Sequence, residues 1–140
     1  VANLPYTAFV TGVMNAEYDL NTATVKVALV RSYTFSAAHA TMADALAAGA
    51  VVNGSATLAS AAITGGNFTA ADATLTTTAS AVAHALLFYQ SSAVTGGADV
   101  ATSAQKLICY ADTGAGIAVY PPTGSITLSL NVLGKILSIA

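Results

Sequence analysis

The side chains able to do chemistry are few and scattered. Two histidines (His39 and His84), one cysteine (Cys109) and six carboxylates (Glu17, Asp19, Asp44, Asp72, Asp99 and Asp112) are spread over 140 residues. A metal centre needs His, Cys or carboxylate ligands close in sequence or gathered by the fold. His39 has only Asp44, five positions on, and His84 has no ligating neighbour, so neither reads as a ligand. Nucleophilic catalysis needs an activated Ser or Cys beside a base. The chain has no Gly-x-Ser-x-Gly elbow, and Cys109 sits in the apolar run Leu107-Ile108-Cys109-Tyr110, where a packed thiol is expected. Gly65-Gly66 and Gly96-Gly97 lack the lysine of a phosphate loop and read as turns. The carboxylates fall at the end of a predicted helix (Glu17, Asp19), in predicted turns (Asp72, Asp99, Asp112) or in an Ala-rich segment (Asp44). Asp in a turn ordinarily hydrogen-bonds its own backbone. The expectation is therefore a protein that is not an enzyme, with no catalytic residue, cofactor or metal.

Composition narrows the class further. Charged residues make up 7% of the chain, against roughly 25% in ordinary soluble domains. The four cations, Lys26, Arg31, Lys106 and Lys135, are isolated from one another, and nucleic-acid binding calls for clustered ones. Aromatic residues are not interleaved with them, as stacking on single strands would require. The mean hydropathy is +0.69, yet no apolar stretch approaches the roughly 20 residues that a membrane-crossing helix needs. No charged-then-apolar leader pattern opens the sequence, so no secretion is expected. Much of the apolarity comes from Ala, Gly and Thr, whose small side chains make flat surfaces. Such a chain is expected to hide its surface against partners, among them copies of itself.

The elements that would position these residues are mostly strands. Val82 to Tyr89 is apolar on both alternating faces and belongs inside a packed assembly of sheets; Leu107 to Tyr110 is its expected antiparallel neighbour. Thr24 to Val30 alternates Val25, Val27 and Leu29 against Thr24, Lys26 and Ala28, which predicts a half-buried strand with a wet face. Tyr6, Phe9, Val10, Val13 and Met14 recur at helical spacing, with Pro5 suited to the first turn. Ser36 to Gly49 is either a short Ala-rich helix capped by Ser36 and ended by Gly49 or a surface loop. Asn53-Gly54 and Gly65-Gly66 read as turns, with strands over Ala56–Thr64, Asn67–Thr69 and Ala73–Thr77. Thr113 to Gly116 is expected to close a hairpin onto Ile117–Tyr120, and Pro121-Pro122-Thr123-Gly124 to turn the chain. Ser125 to Asn131 reads as a strand with Ile126, Leu128 and Leu130 inward, and Lys135 to Ile139 as a last short one. The sum is an all-β fold, mainly an antiparallel sandwich or barrel, in one domain over residues 1–140: an N-terminal helical arm (1–20) and a β core (21–140).

Several blocks, in order, resemble a group of small tailed-bacteriophage structural proteins. They are Asp19-Leu20-Asn21-Thr22-Ala23-Thr24-Val25-Lys26-Val27-Ala28-Leu29-Val30, then Tyr33-Thr34-Phe35-Ser36-Ala37-Ala38-His39, then Phe68-Thr69-Ala70-Ala71-Asp72-Ala73-Thr74-Leu75. Ala85-Leu86-Leu87-Phe88-Tyr89, Leu107-Ile108-Cys109-Tyr110-Ala111-Asp112, Pro121 to Leu128 and Gly134-Lys135-Ile136-Leu137 continue the likeness. This chain departs in having few of the charges usual in those blocks and Gln90 where a lysine is common. The resemblance implies a virion protein: a head decoration or cement protein that oligomerises, with a trimer favoured, and binds the major capsid protein lattice. The alternative is a neck, tail or fibre-attachment subunit. It implies assembly in a host cytoplasm, other virion proteins as partners, and no nucleic acid or membrane. Tyr6, Phe9, Val13, Tyr33, Phe35 and Tyr120 are the expected contact residues; Tyr33, Phe35 and Tyr120 would also serve a glycan-binding module.

Overall fold

The computed structural model describes residues 4–65, 67–78, 83–112, 123–128 and 137–138. Its order is β1 (Leu4–Pro5), α1 (Thr7–Met14), β2 (Thr24–Arg31), α2 (Met42–Ala47), β3 (Val51–Thr57), β4 (Ala62–Thr64), β5 (Asn67–Thr69), β6 (Ala73–Thr78), β7 (Ala85–Ser92), β8 (Lys106–Asp112), β9 (Thr123–Leu128) and β10 (Leu137–Ser138). The fold is all-β, and among the described residues every strand pair is antiparallel and there are two short helices. The main sheet runs β1-β8-β7-β2-β3; β10-β5-β4 and β6-β9 form smaller ones. Among the described residues no helix is long and apolar enough to cross a membrane.

The two-faced strand is β7, and every residue of it is buried. It pairs with β8 in the register Leu87 with Tyr110 and Phe88 with Cys109, and with β2 in the register Phe88 with Val27 and Leu86 with Leu29. Residues opposite one another share a side. Val27, Leu29, Leu86, Phe88, Cys109 and Ala111 therefore line one face, and Ala28, Val30, Leu87 and Tyr110 the other. Phe68 and Leu75, from the smaller sheets, belong to the same core. β6 is drawn against β3 at Gly54, where a side chain would strike the Thr76 carbonyl.

Several expectations are corrected. β2 is not half-wet: Val27, Ala28, Leu29 and Val30 are all fully buried, because β2 is interior to the sheet and covered on both faces. Its Lys26 escapes by extending its stem, leaving only the ammonium to meet Asp99. Asn53-Gly54 is no turn but the middle of β3. Gly54 serves close approach, the other use of a residue without a β-carbon. Pro5 lies in β1 opposite Cys109 rather than in the helix, which begins after Tyr6; on an edge strand its missing N–H costs no ladder bond. Ser36 to Gly49 does contain a helix, but Thr41 caps it, through a reciprocal box with Asp44. Gly49 follows its end at φ +96° as expected. The expected strand Ala56–Thr64 is split between β3 and β4, with Ser60 at φ 52° in the break. Asp112 closes β8 instead of lying in a turn, and Ser91 and Ser92 extend β7. Gly65, β5 and β6 fall where the sequence puts them; β9 starts at Thr123 instead of Ser125, so Thr123 and Gly124, expected in a turn, pair with Thr78 and Thr77 of β6, and in β9 Leu128 is buried while Ser125 and Thr127 are exposed. Val82, residues 113–122, 129–136 and 139, and Tyr120 with them, lie outside the described residues.

Candidate functional site

A polar constellation begins inside the aromatic core. Tyr6, between β1 and α1, is fully buried, and its hydroxyl lies 3.0 Å from that of Tyr33. The Tyr33 hydroxyl in turn lies 2.8 Å from Nδ1 of His39. Around these, Phe35 stacks at 5.1 Å on both Tyr6 and Tyr110, and Tyr33 meets Tyr110 edge-on at 5.8 Å. Backbone hydrogen bonds hold the segments: Tyr6 N donates to the Ile108 carbonyl, Thr7 N to that of Ala37, and Leu107 N to that of Ala40. Beyond His39, the Asp44 carboxylate accepts from the backbone N–H groups of Ala40 and Thr41, and those bonds hold its acid below the usual carboxylate range. Burial pushes the Tyr6 and Tyr33 hydroxyls above their ordinary range, so both keep their hydrogens at neutral pH. The constellation can order hydrogen bonds between the core and the surface; it offers no activated nucleophile.

Five of the six expected contact residues lie among the described residues. Tyr6, Phe9 and Tyr33 are buried in the chain's own core, and Val13 and Phe35 pack against it from partly covered positions. The reason lies in the phase of α1. Phe9 meets Tyr18 edge-on at 4.9 Å, and Gly12 lies so close to the Tyr18 ring that a β-carbon would overlap it. Those contacts turn Phe9 and Gly12 inward and leave Val10 and Met14, which share their helical spacing, 40% and 82% exposed. Leu46, Val51, Val52, Ile63, Val94 and Val100 are the other exposed large aliphatics among the described residues. Sequence reasoning missed this set, since none of its members interrupts an apolar pattern.

The remaining chemistry-bearing groups are dispersed. Among the described residues no three His, Cys, Asp or Glu side chains gather in a way that could hold a metal ion. His84 donates its backbone N–H to the Val30 carbonyl. Cys109 is fully buried, which pushes its thiol well above the ordinary value. Each described cation is engaged: Lys26 Nζ with Asp99 at 2.7 Å, Arg31 Nε with the Asn53 side chain at 3.1 Å, and Lys106 Nζ with the Glu17 carbonyl at 3.2 Å and, 4.9 Å from its centre, the Tyr18 ring. Tyr18 donates to the Leu107 carbonyl, and burial, with Glu17 adding to it, pushes its hydroxyl up to about 12. Comparison with known proteins finds no matching family model, no matching curated protein and no matching solved structure.

Proposed function

We propose that this chain is a structural subunit of a tailed-bacteriophage particle, a head decoration protein that associates with copies of itself and seats on the capsid lattice. The observation that carries the reading is a surface poor in charge and supplied with aliphatics. Only four cationic and six acidic residues occur in the chain, while Val10, Met14, Val51, Val52, Ile63, Val94 and Val100 stay exposed. The ordered likeness of its sequence blocks to phage structural proteins points the same way.

Mechanically, such a subunit bridges neighbouring capsomers and resists their separation. Several weak contacts per oligomer add through their linkage, so no single contact need be strong. With few ions at the surface, attachment rests on apolar burial and backbone bonding, and salt screens it little. The test is to add the purified chain to particles that lack it and follow co-sedimentation across ionic strength. Retention at high salt, at a copy number in step with the shell lattice, is expected. A copy number in step with one vertex or the tail would assign it to the neck or tail instead. Release by modest salt with the fold intact, or no binding to any particle, would overturn the reading.

A further inference from the structure

Three polar groups run in series from the core toward the surface: the Tyr6 hydroxyl, the Tyr33 hydroxyl 3.0 Å away, and Nδ1 of half-buried His39 2.8 Å beyond it. A hydroxyl has one hydrogen to give, and an unprotonated ring nitrogen has none. One order of donors therefore satisfies both contacts and strands no hydrogen. Tyr6 donates to Tyr33, and Tyr33 donates to Nδ1, which places the neutral ring's own hydrogen on Nε2.

A protonated imidazole carries hydrogen on both nitrogens, so Nδ1 must then donate to Tyr33. Tyr33 can only turn its hydrogen back toward Tyr6. The Tyr6 hydrogen, on a fully buried side chain, loses its acceptor. The titratable groups facing Tyr6 besides Tyr33 are the Cys109 thiol, a weak acceptor, and the Tyr110 hydroxyl; the Tyr33 oxygen is also met by the backbone N–H of Ser36, which competes for none of these hydrogens. From α2, the exposed Asp44 carboxylate faces His39 and would attract its charged form, while itself held by the backbone N–H groups of Ala40 and Thr41. In general a buried hydroxyl left without an acceptor costs more than an exposed, screened ion pair returns.

We propose that the Tyr6–Tyr33–His39 chain is a pH-responsive latch, closed while His39 accepts from Tyr33 and loosened when the imidazole takes up a proton. What it fastens is the unit β1–α1, since Tyr6 is the residue that caps α1 and follows β1. The other end is anchored on the 33–41 segment, which leads into α2.

Amide hydrogen exchange on the whole chain tests this. Imidazole is the side chain whose charge ordinarily changes nearest neutral pH, and the chain has two of them. After correction for intrinsic exchange rates, protection of residues 6–14 is expected to fall several-fold between about pH 7 and about pH 5.5, while β7 and β8 stay protected. In His39→Asn the amide oxygen offers a fixed acceptor near the place of Nδ1, so protection should stay high at both pH values. In Tyr33→Phe it should be low at both, and His84→Asn should behave as the parent. A pH response that survives His39→Asn, vanishes in His84→Asn, or is missing from the parent chain overturns the proposal.

Discussion

The α-carbon of Gly54 lies against the backbone of Thr76, so close that a β-carbon would stand 2.7 Å from the Thr76 carbonyl oxygen. This contact joins the main sheet to the β6-β9 pair, and a carbonyl in a strand cannot move aside as a side-chain tip can. Gly54→Ala is expected to cost about 1–3 kcal/mol by forcing the two strands apart. Gly65→Asn, at a φ of 57° with open space around it, should cost far less, since Asn tolerates that backbone. Urea unfolding of the two variants side by side gives the comparison; equal stability would mean that the approach of β6 to β3 is not tight.

Lys26 reaches Asp99 at 2.7 Å across 73 residues of sequence. The ammonium's hydrogen bond holds the Asp99 acid below the usual carboxylate range. A depressed folded-state pKa stabilises the fold above the unfolded value, about 3.9, and that contribution fades as pH falls through the folded one. Asp99 is 47% exposed, so the pair is screened, and Asp99→Asn or Lys26→Met should cost only about 0.2–1 kcal/mol at pH 7. The difference from the parent should shrink below about pH 4 and in high salt. A pH-independent loss would mean that the effect is packing of the Lys26 stem.

Thr41 and Asp44 cap α2 reciprocally, the Thr41 hydroxyl accepting from Asp44 N and the Asp44 carboxylate from Thr41 N. Thr41→Ala and Asp44→Ala should each cost about 0.5–2 kcal/mol. Together they should cost less than the sum, because either change breaks the same box. Additive losses in a double-mutant cycle would show that the two bonds act separately.

The side-chain oxygen of Gln90 is buried without a hydrogen-bond partner, beside the register shift between Phe88 and Tyr89. An unpaired buried amide oxygen carries its desolvation cost with nothing in return. Gln90→Met, of similar shape, is expected to raise stability by about 1 kcal/mol. A drop in the denaturation midpoint would reveal a partner for that oxygen.

Cys109 is wholly buried in β8, and burial raises its thiol above the ordinary range. The thiolate is the reactive form. Disulfide-exchange reagents should label the native protein orders of magnitude more slowly than the unfolded chain, at a rate set by opening of the sheet. Fast labelling of the native protein would require β8 to be accessible.

Where strand identity was legible, the signal was local. β7 and β8 announce themselves because apolar residues occupy both alternating faces, and Gly65 because a turn demands its backbone. The helix inside Ser36–Gly49 was also legible in outline, though Thr41 with Asp44 three residues on was the better cap signal than Ser36. Pattern alone misled at Asn53-Gly54, since a glycine needed for positive φ and one needed for close approach look identical in a sequence. It misled again at Lys26, whose charge suggested a wet face.

The amino-acid sequence by itself determined the all-β class, most strand positions, the shortage of ions and the absence of any spaced set of ligands. Only the tertiary structure decided which faces are covered: that β2 lies inside the sheet, that α1 turns Phe9 inward and Met14 out, and that Tyr6, Tyr33 and His39 meet. Propensity and turn chemistry act over a few residues, so they can be read from the chain. Burial and hydrogen-bond partnership between residues as far apart as Tyr6 and Tyr33, or Gly54 and Thr76, exist only after the strands have paired.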